Sequence, residues 1–407
     1  MKRIAVLSRG LCKWNGGVDF LRLILRSLLA SREEEDERMY LFVPNPTNRF
    51  ISKIVWRLSG GKRRLHTMTE QQEWLSDLTD GLPNISIIRY SPFAKGLLRT
   101  MKKENIDVVG PTYDSLGPDF PTPWIGYVYD FQHHYLRENY STRERRKHEK
   151  RFAGIAHDAP AIICNAEDVR NDMKRFFPEA TNKLIVLPFT PSPMEHWFHA
   201  SIEHTRTRYG IPKSYFIICN QFWKHKDHAT AFRAMRKFLD ADRRNEQFKL
   251  VCTGRLEETR EPAYIGKLMK LIKDLGLTDS VICVGHIPKN DQIALLRGAT
   301  ALVQPTLLEG GPGGGATYDA IAVGTPALLS DLPVNKEIQS NAVWFFRTGN
   351  AEDLSSAMHS IAWHPPKRKP PTELIAEGKE RLHRLGKVWR EAIRAAERAH
   401  NQRKRRT

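Results

Sequence analysis

Short β-branched and apolar runs recur along the chain, separated by longer amphipathic stretches. RIAVLS (3–8), YLFVP (40–44), ISIIRY (85–90), IDVVG (106–110), WIGYVYD (124–130), AIICN (161–165) and KLIVLPF (183–189) read as strands. The alternation of strand, helix and strand predicts a largely parallel sheet. Prolines in PFTPSPMEHWFHA (188–200) interrupt regular structure. The alternation then restarts with SYFIICN (214–220), FKLVCTG (248–254), SVICVGH (280–286), TALVQP (300–305) and PALLSD (326–331).

Two α/β domains joined near residues 190–205 follow from this pattern. The expected boundaries are 1–195 and 205–370, with a C-terminal segment, 371–407, that crosses back to the first domain. WHPPKRKPP (363–371) introduces that segment, a charged helical pattern to about His400 with Leu374, Ile375, Leu382, Leu385, Trp389 and Ile393 as its apolar positions. It ends in the basic run RKRR at 403–406.

The 407 residues provide enough chain for full cores, and 41% hydrophobic with 9% aromatic content is ordinary for a globular protein. The apolar run Ile4 to Leu7 is too short for a signal-peptide core, and no segment reaches the ~18 uncharged apolar residues of a membrane span. Five cysteines, without CxxC spacing, indicate neither a disulfide frame nor a zinc site and fit a reduced cytoplasmic compartment. The net charge of +18 implies an anionic partner: nucleic acid, an acidic membrane surface or a phosphate-bearing substrate.

The sharpest local feature is EGGPGGGATYDAIAVGTPALLSD (309–331), where five of the six residues from 310 to 315 are glycine. It follows the strand TALVQP and precedes a helix expected to begin near Thr317, so the N–H groups of Gly314, Gly315 and Ala316 and the helix dipole are aimed at an anion such as phosphate. A plain surface loop is one alternative. A dinucleotide site is another, since Gly311, Gly313 and Ala316 satisfy GxGxxA, but the acid that follows the next strand, Asp331, stands short of the usual ~20-residue spacing from the end of the motif. A Walker loop is excluded because no Gly-Lys-Ser/Thr follows.

Glu309, the glycines, Asp319 and the Ala-Ile-Ala-Val-Gly-Thr-Pro turn resemble the donor-site signature of family 4 glycosyltransferases, retaining enzymes of the GT-B fold. The two acids are eight positions apart in that family and ten here, an insertion of two residues. The resemblance implies an α/β GT-B chain: two Rossmann-like, doubly wound parallel-sheet domains facing a cleft. It also implies that Glu309 bonds the donor sugar, that the amides around Gly313, Gly314, Gly315 and Ala316 hold sugar and diphosphate, and that Asp319 grips the ribose diol. Carboxylates with two acceptor oxygens suit vicinal diols, and glycine permits close main-chain approach.

Other segments carry the same resemblance. NQFWKHKDH (220–228) resembles the family's Arg-and-Lys segment for the diphosphate, with Lys226 aligned, Gln221 at the Arg position and Lys224 offering a second charge. Gly285, His286 and Ile287 are implied to frame the base, although a plain turn explains them equally. Gly16 and Gly17 form a paired-glycine loop closing over the phosphates. In YVYDFQHHYLRENYS (127–141), His133 or His134 is implied near the reacting carbon with Asp130 assisting, and His133 is preferred by position. His133, Glu309 and Lys226 are thus the catalytic candidates.

The resemblance implies a cytoplasmic enzyme moving a hexose from a GDP- or UDP-linked sugar to a saccharide or lipid-linked acceptor, in surface polysaccharide or lipopolysaccharide synthesis. No metal or further cofactor is called for: no DxD motif of the metal-dependent sugar-transfer type is seen, and Lys224, Lys226, the helix start and the loop amides would carry the developing charge. The basic segments RERRKHEKR (143–151), KRR (62–64) and the C-terminal tail fit peripheral contact with an anionic membrane, or serve as solvated faces. The rival readings are an epimerase or phosphorylase of the same fold, and a non-catalytic nucleic-acid binder, which lacks a recognition motif.

Overall fold

The computed structural model describes residues 2–405 except 13–14, 34–36, 47–67, 80–81, 83–84, 93–94 and 259. The basic run 62–64 and Arg406 lie outside the described residues. The first sheet contains β1 (Arg3–Leu7), β2 (Arg38–Pro44), β3 (Ser86–Tyr90), β4 (Val108–Thr112), β5 (Trp124–Val128), β6 (Ala161–Cys164) and β7 (Leu184–Val186). The second contains β8 (Tyr215–Cys219), β9 (Lys249–Thr253), β10 (Val281–Gly285), β11 (Leu302–Gln304), β12 (Ala327–Ser330) and β13 (Val343–Phe346). All twelve expected strands form, and β13 is added at the edge of the second sheet. Its four residues are half-exposed except Phe346, so no alternation marks them as a strand.

The strand orders are β3-β2-β1-β4-β5-β6-β7 and β10-β9-β8-β11-β12-β13. Every pairing is parallel. Helices cover both faces, which is why strands such as β4 and β6 are buried at every position. In each sheet the order reverses beside its first strand, between β1 and β4 and between β8 and β11. Connections diverge there to opposite faces and leave a crevice at the carboxyl ends of the strands. The segments that carry Gly16, Lys226 and Glu309 all follow strands at these two points, and Gly16 and Gly17 open the helix Asn15–Ala30 rather than forming the expected loop.

The C-terminal helix Pro371–Lys404 leaves the second domain and packs on the first, where Leu385, Trp389, Ala392, Ile393 and Ala396 join the core beneath β1 and the helix Asn15–Ala30. The two helices approach closely at Gly386, where an added Cβ would lie 2.1 Å from Ser31 Oγ and 2.2 Å from the Ser27 carbonyl. Gly386→Ala is therefore expected to lower stability by ~1–3 kcal/mol through overpacking, more than the ~1 kcal/mol that alanine gains in helix propensity. Urea unfolding measures the sign; a stabilised variant would show that the helices separate freely.

Further contacts tie the domains to each other and to the segment that connects them. The helix Glu167–Phe176 has Ala166 at its N-cap and no cap of its own. Glu337 supplies one from the second domain, accepting from the amides of Glu167 at 2.9 Å and Asp168 at 2.8 Å, where a helix leaves N–H groups unpaired. Val334, next to it, enters the core of the first domain. The Arg26 guanidinium donates to the carbonyls of Ser192 and Pro193 in the proline-rich connection, at 2.8 and 2.7 Å.

Candidate active site

After β8 the chain makes a tight turn, Lys224–Lys226, and Asp227 caps the helix His228–Ala241. Asp227 takes a left-handed conformation, and its Oδ1 accepts from the Thr230 amide at 3.3 Å. This turn directs Lys226 toward the loop after β11, where its Nζ meets Glu309 Oε1 at 2.5 Å. The two side chains are only 12% and 8% exposed, so the pair is largely removed from water. Gln304, the last residue of β11, donates to the same Glu309 oxygen at 3.2 Å and is held by Asn220, whose Nδ2 donates to it at 2.8 Å. Glu309 therefore sits in a prearranged polar network rather than on a mobile loop.

The glycines shape the space beside it. The helix Gly314–Ala322 begins three residues before the expected start at Thr317. At Gly314, with φ +66°, an added Cβ would stand 2.9 Å from Glu309 Oε2. Gly313 takes φ +67°, and its amide donates to Asn335 Oδ1 at 2.8 Å. The Gly314 amide donates to the Gly311 carbonyl at 3.1 Å. Both amides were expected to face an anion and are instead committed to holding the loop. Gly315 and Ala316 supply first-turn amides, which a helix leaves without intrahelical partners.

Asp319, one turn into this helix, binds Lys289 Nζ at 2.6 Å, and Lys289 also reaches Asp19 of the first domain at 3.2 Å. Burial lifts the Asp319 carboxyl to about 6, against the pull of Lys289. Across the cleft, Asp130 follows β5, and burial likewise raises its carboxyl to about 6 despite the Gln132 amide and Arg151. Gly310 packs against the Tyr129 carbonyl so closely that a Cβ would lie 2.2 Å from it. Among the predicted residues, Gly16, Glu309, Gly314, Gly315 and Asp319 line one cleft between the domains.

Other predicted residues stand elsewhere. Lys226 is joined to the cleft through its pair with Glu309 and is not itself in the lining. Lys224 is not the second cleft cation: its Nζ pairs with Glu261 at 3.3 Å on the half-exposed side of the turn. Gln221 is half-buried, Gly17 is buried in the first helix, and neither lines the cleft. Gly285 ends the edge strand β10, His286 and Ile287 follow it, and all three lie outside the lining; His286 is exposed and Ile287 is packed in the core. His133 is turned from the cleft: its buried ring packs against Phe131 and Phe152, and its Nε2 lies 3.3 Å from Glu149. The one-turn helix Gln132–Tyr135 directs it toward the helix Thr142–Asp158. Lys289, Asp19, Arg22 and Arg26 escaped the sequence reading, because no local pattern marks a pairing such as that of Lys289 with Asp319, 30 positions apart.

Under the Lys226 turn, His228 is fully buried and stacks on Phe222 at 4.1 Å. Burial, reinforced by Lys226, lowers its imidazole from 6.5 to about 3. The unfolded chain takes up that proton near pH 6.5 and the folded chain does not, so this contribution to stability is complete above pH 6.5 and is lost progressively as the pH falls toward 3. In His228→Phe, the stability lost between about pH 7.5 and 5.5 is expected to shrink by about 1.3 kcal/mol. Urea unfolding of both proteins at the two pH values measures it, and an equal loss in each would show that the ring takes up its proton within the fold.

Comparison with known proteins agrees with this geometry. Residues 202–381, which include Lys226, Glu309 and Asp319, match the family model of glycosyl transferases group 1. The O-antigen chain mannosyltransferase RfbU of Salmonella typhimurium is 27% identical over 153 residues, which span 38% of this chain and 40% of that protein. The structure aligns with sucrose-phosphate synthase of Thermosynechococcus elongatus over 100% of both chains, with a TM-score of 0.63 and 15% identity. It aligns with Anabaena HepE, solved with UDP and glucose, over 95% of both chains, with a TM-score of 0.57 and 13% identity. The two parallel-sheet domains have the GT-B fold. Among the described residues, no helix is long and apolar enough to cross a membrane.

Proposed function

We propose that this protein is a retaining glycosyltransferase of the family 4 type, transferring a hexose from a nucleoside diphosphate sugar to a saccharide or lipid-linked saccharide acceptor. The observation that carries this reading is the shielded Lys226–Glu309 pair beside the start of the helix Gly314–Ala322. Charge develops on the leaving diphosphate, and the ammonium of Lys226 with the amides of Gly315 and Ala316 stabilises it in a site that excludes water. Glu309 binds hydroxyls of the donor sugar, and Asp319 binds the ribose diol once Lys289 yields one of its contacts. The departing phosphate oxygen takes the acceptor proton on the same face, which preserves the anomeric configuration. The name of the Salmonella relative supports mannose as the sugar and a surface polysaccharide or lipopolysaccharide acceptor, and the ligands of HepE support a UDP-hexose donor; GDP-mannose or a UDP-hexose as donor, and transfer at the cytoplasmic face of an anionic membrane, belong to the same proposal.

The test is thermal stabilisation across nucleoside diphosphates and their sugars, repeated on Lys226→Ala. A 100-fold excess of ligand over its Kd adds about 2.7 kcal/mol of stability, a clear shift in Tm. One nucleotide sugar is expected to raise Tm in the wild type and to do so far less in the variant. No shift with any of them would sink this reading.

A further inference from the structure

We propose that His133, His134 and Glu149 form a binding site for a divalent transition-metal ion, with zinc as the best match to the donor set. The two histidines are consecutive on the single-turn helix Gln132–Tyr135, and Glu149 lies within the helix Thr142–Asp158. Both Nε2 atoms converge on the same oxygen: Glu149 Oε2 lies 3.3 Å from His133 and 2.8 Å from His134. The three ligand atoms all fall within 4.8 Å of one another. Ligands at ~2.0–2.1 Å from a tetrahedral zinc stand roughly 3.3–3.4 Å apart, so an ion enters this cluster with side-chain movements of about an ångström.

Packing holds the rings in this arrangement. His134 stacks on Phe176 at 4.1 Å, and His133 is fixed between Phe131, Phe152 and His148. The nearby cation Arg151 is engaged elsewhere, donating to Tyr129 Oη at 2.9 Å with its guanidinium over the Tyr113 ring. The Glu149 side chain is 46% exposed and that of His134 28%, which leaves a coordination position open to water. Two imidazole donors disfavour magnesium and calcium, whose ligands are oxygens, and favour zinc and its neighbours.

The site lies outside the donor cleft and does not depend on the donor reading. Its position still gives it a consequence: Gln132, at the head of the same helical turn, donates its amide to Asp130 Oδ1 at 3.2 Å, and Asp130 lines the cleft. An ion bridging this turn to the longer helix would hold Asp130 in place.

The experiment uses untagged full-length protein stripped with EDTA, titrated with Zn2+ and Co2+, and compared with Glu149→Gln and His134→Asn. Expected are about one bound equivalent, the visible absorption of four-coordinate Co2+ with nitrogen and oxygen ligands, a rise in Tm with Zn2+ but not Mg2+, and affinity at least ~100-fold weaker in each variant. Glu149 is half-exposed, so its variant tests the site without emptying a core, and its metal-free urea midpoint checks the fold. No stoichiometric binding, or binding unchanged in both variants, would overturn the proposal.

Discussion

Glu309→Ala is expected to lower transfer from a nucleotide sugar by about 10²–10³-fold in kcat, because it removes the hydrogen bonds that orient the donor sugar and frees the Lys226 ammonium from its set position. The physical argument rests on what the substitution leaves behind. Lys226 is 12% exposed and meets Glu309 at 2.5 Å, so without the carboxylate its ammonium remains in a poorly hydrated place. Breaking such a pair costs about 3–5 kcal/mol, whereas the intact pair adds little net stability. The variant should therefore lose Tm as well as activity. Glu309→Gln separates the two effects: it retains the shape and one acceptor of the carboxylate, and should recover part of the Tm but little of the rate. Activity measured by nucleotide release, with Tm recorded in parallel, decides it. Near-wild-type turnover in Glu309→Gln would remove the carboxylate from the reaction.

The second large effect concerns stability and needs no assumption about substrate. Arg390 lies in the C-terminal helix, with its guanidinium buried under the first domain. It forms a two-point bond to Glu37 at 2.6 and 3.1 Å and donates to the Ser31 carbonyl at 2.6 Å. The paired side chains are 5% and 2% exposed. Arg390→Met leaves Glu37 buried and unpaired, and is expected to destabilise the protein by about 3–5 kcal/mol. The double variant Arg390→Met/Glu37→Leu should regain most of that, because replacing both charges by apolar groups of similar size is close to neutral. Urea unfolding of the two single variants and the double variant measures the coupling. A double variant as unstable as Arg390→Met would mean that the lost bonds to Ser31, rather than the stranded carboxylate, carry the cost.

Much of the architecture was legible because it is written in local pattern. Twelve apolar runs became twelve parallel strands, and the prolines of 188–200 fell between the two sheets. The apolar positions of the last helix became its buried face, Leu374, Leu382, Leu385, Trp389 and Ile393 among them. The geometry of the candidate site was legible where backbone chemistry dictates residue type: a Gly-rich segment between strand and helix, an acid before it and an acid one turn into the helix. Lys226 was also legible, through its motif, although its partner was not.

What escaped depended on direction and on distance along the chain. His133 and Lys224 carry suitable chemistry at suitable positions, yet one turns toward Glu149 and the other toward Glu261. Gly313 and Gly314 stand at the N-cap and first position of the helix rather than in the loop, and their amides are consumed by Asn335 and Gly311. Lys289 bridges Asp319 and Asp19 from the first position of the helix Lys289–Gly298, where no local pattern points to either partner. By itself the sequence determined the two domains, their parallel sheets and the loops that face the crevice, because hydrophobic periodicity and glycine conformation act within a few residues. Only the tertiary structure decided which amides remain for a ligand, which cations reach the cleft and which histidines meet a carboxylate, because a side chain's partner is set by the packing of elements tens to hundreds of positions apart.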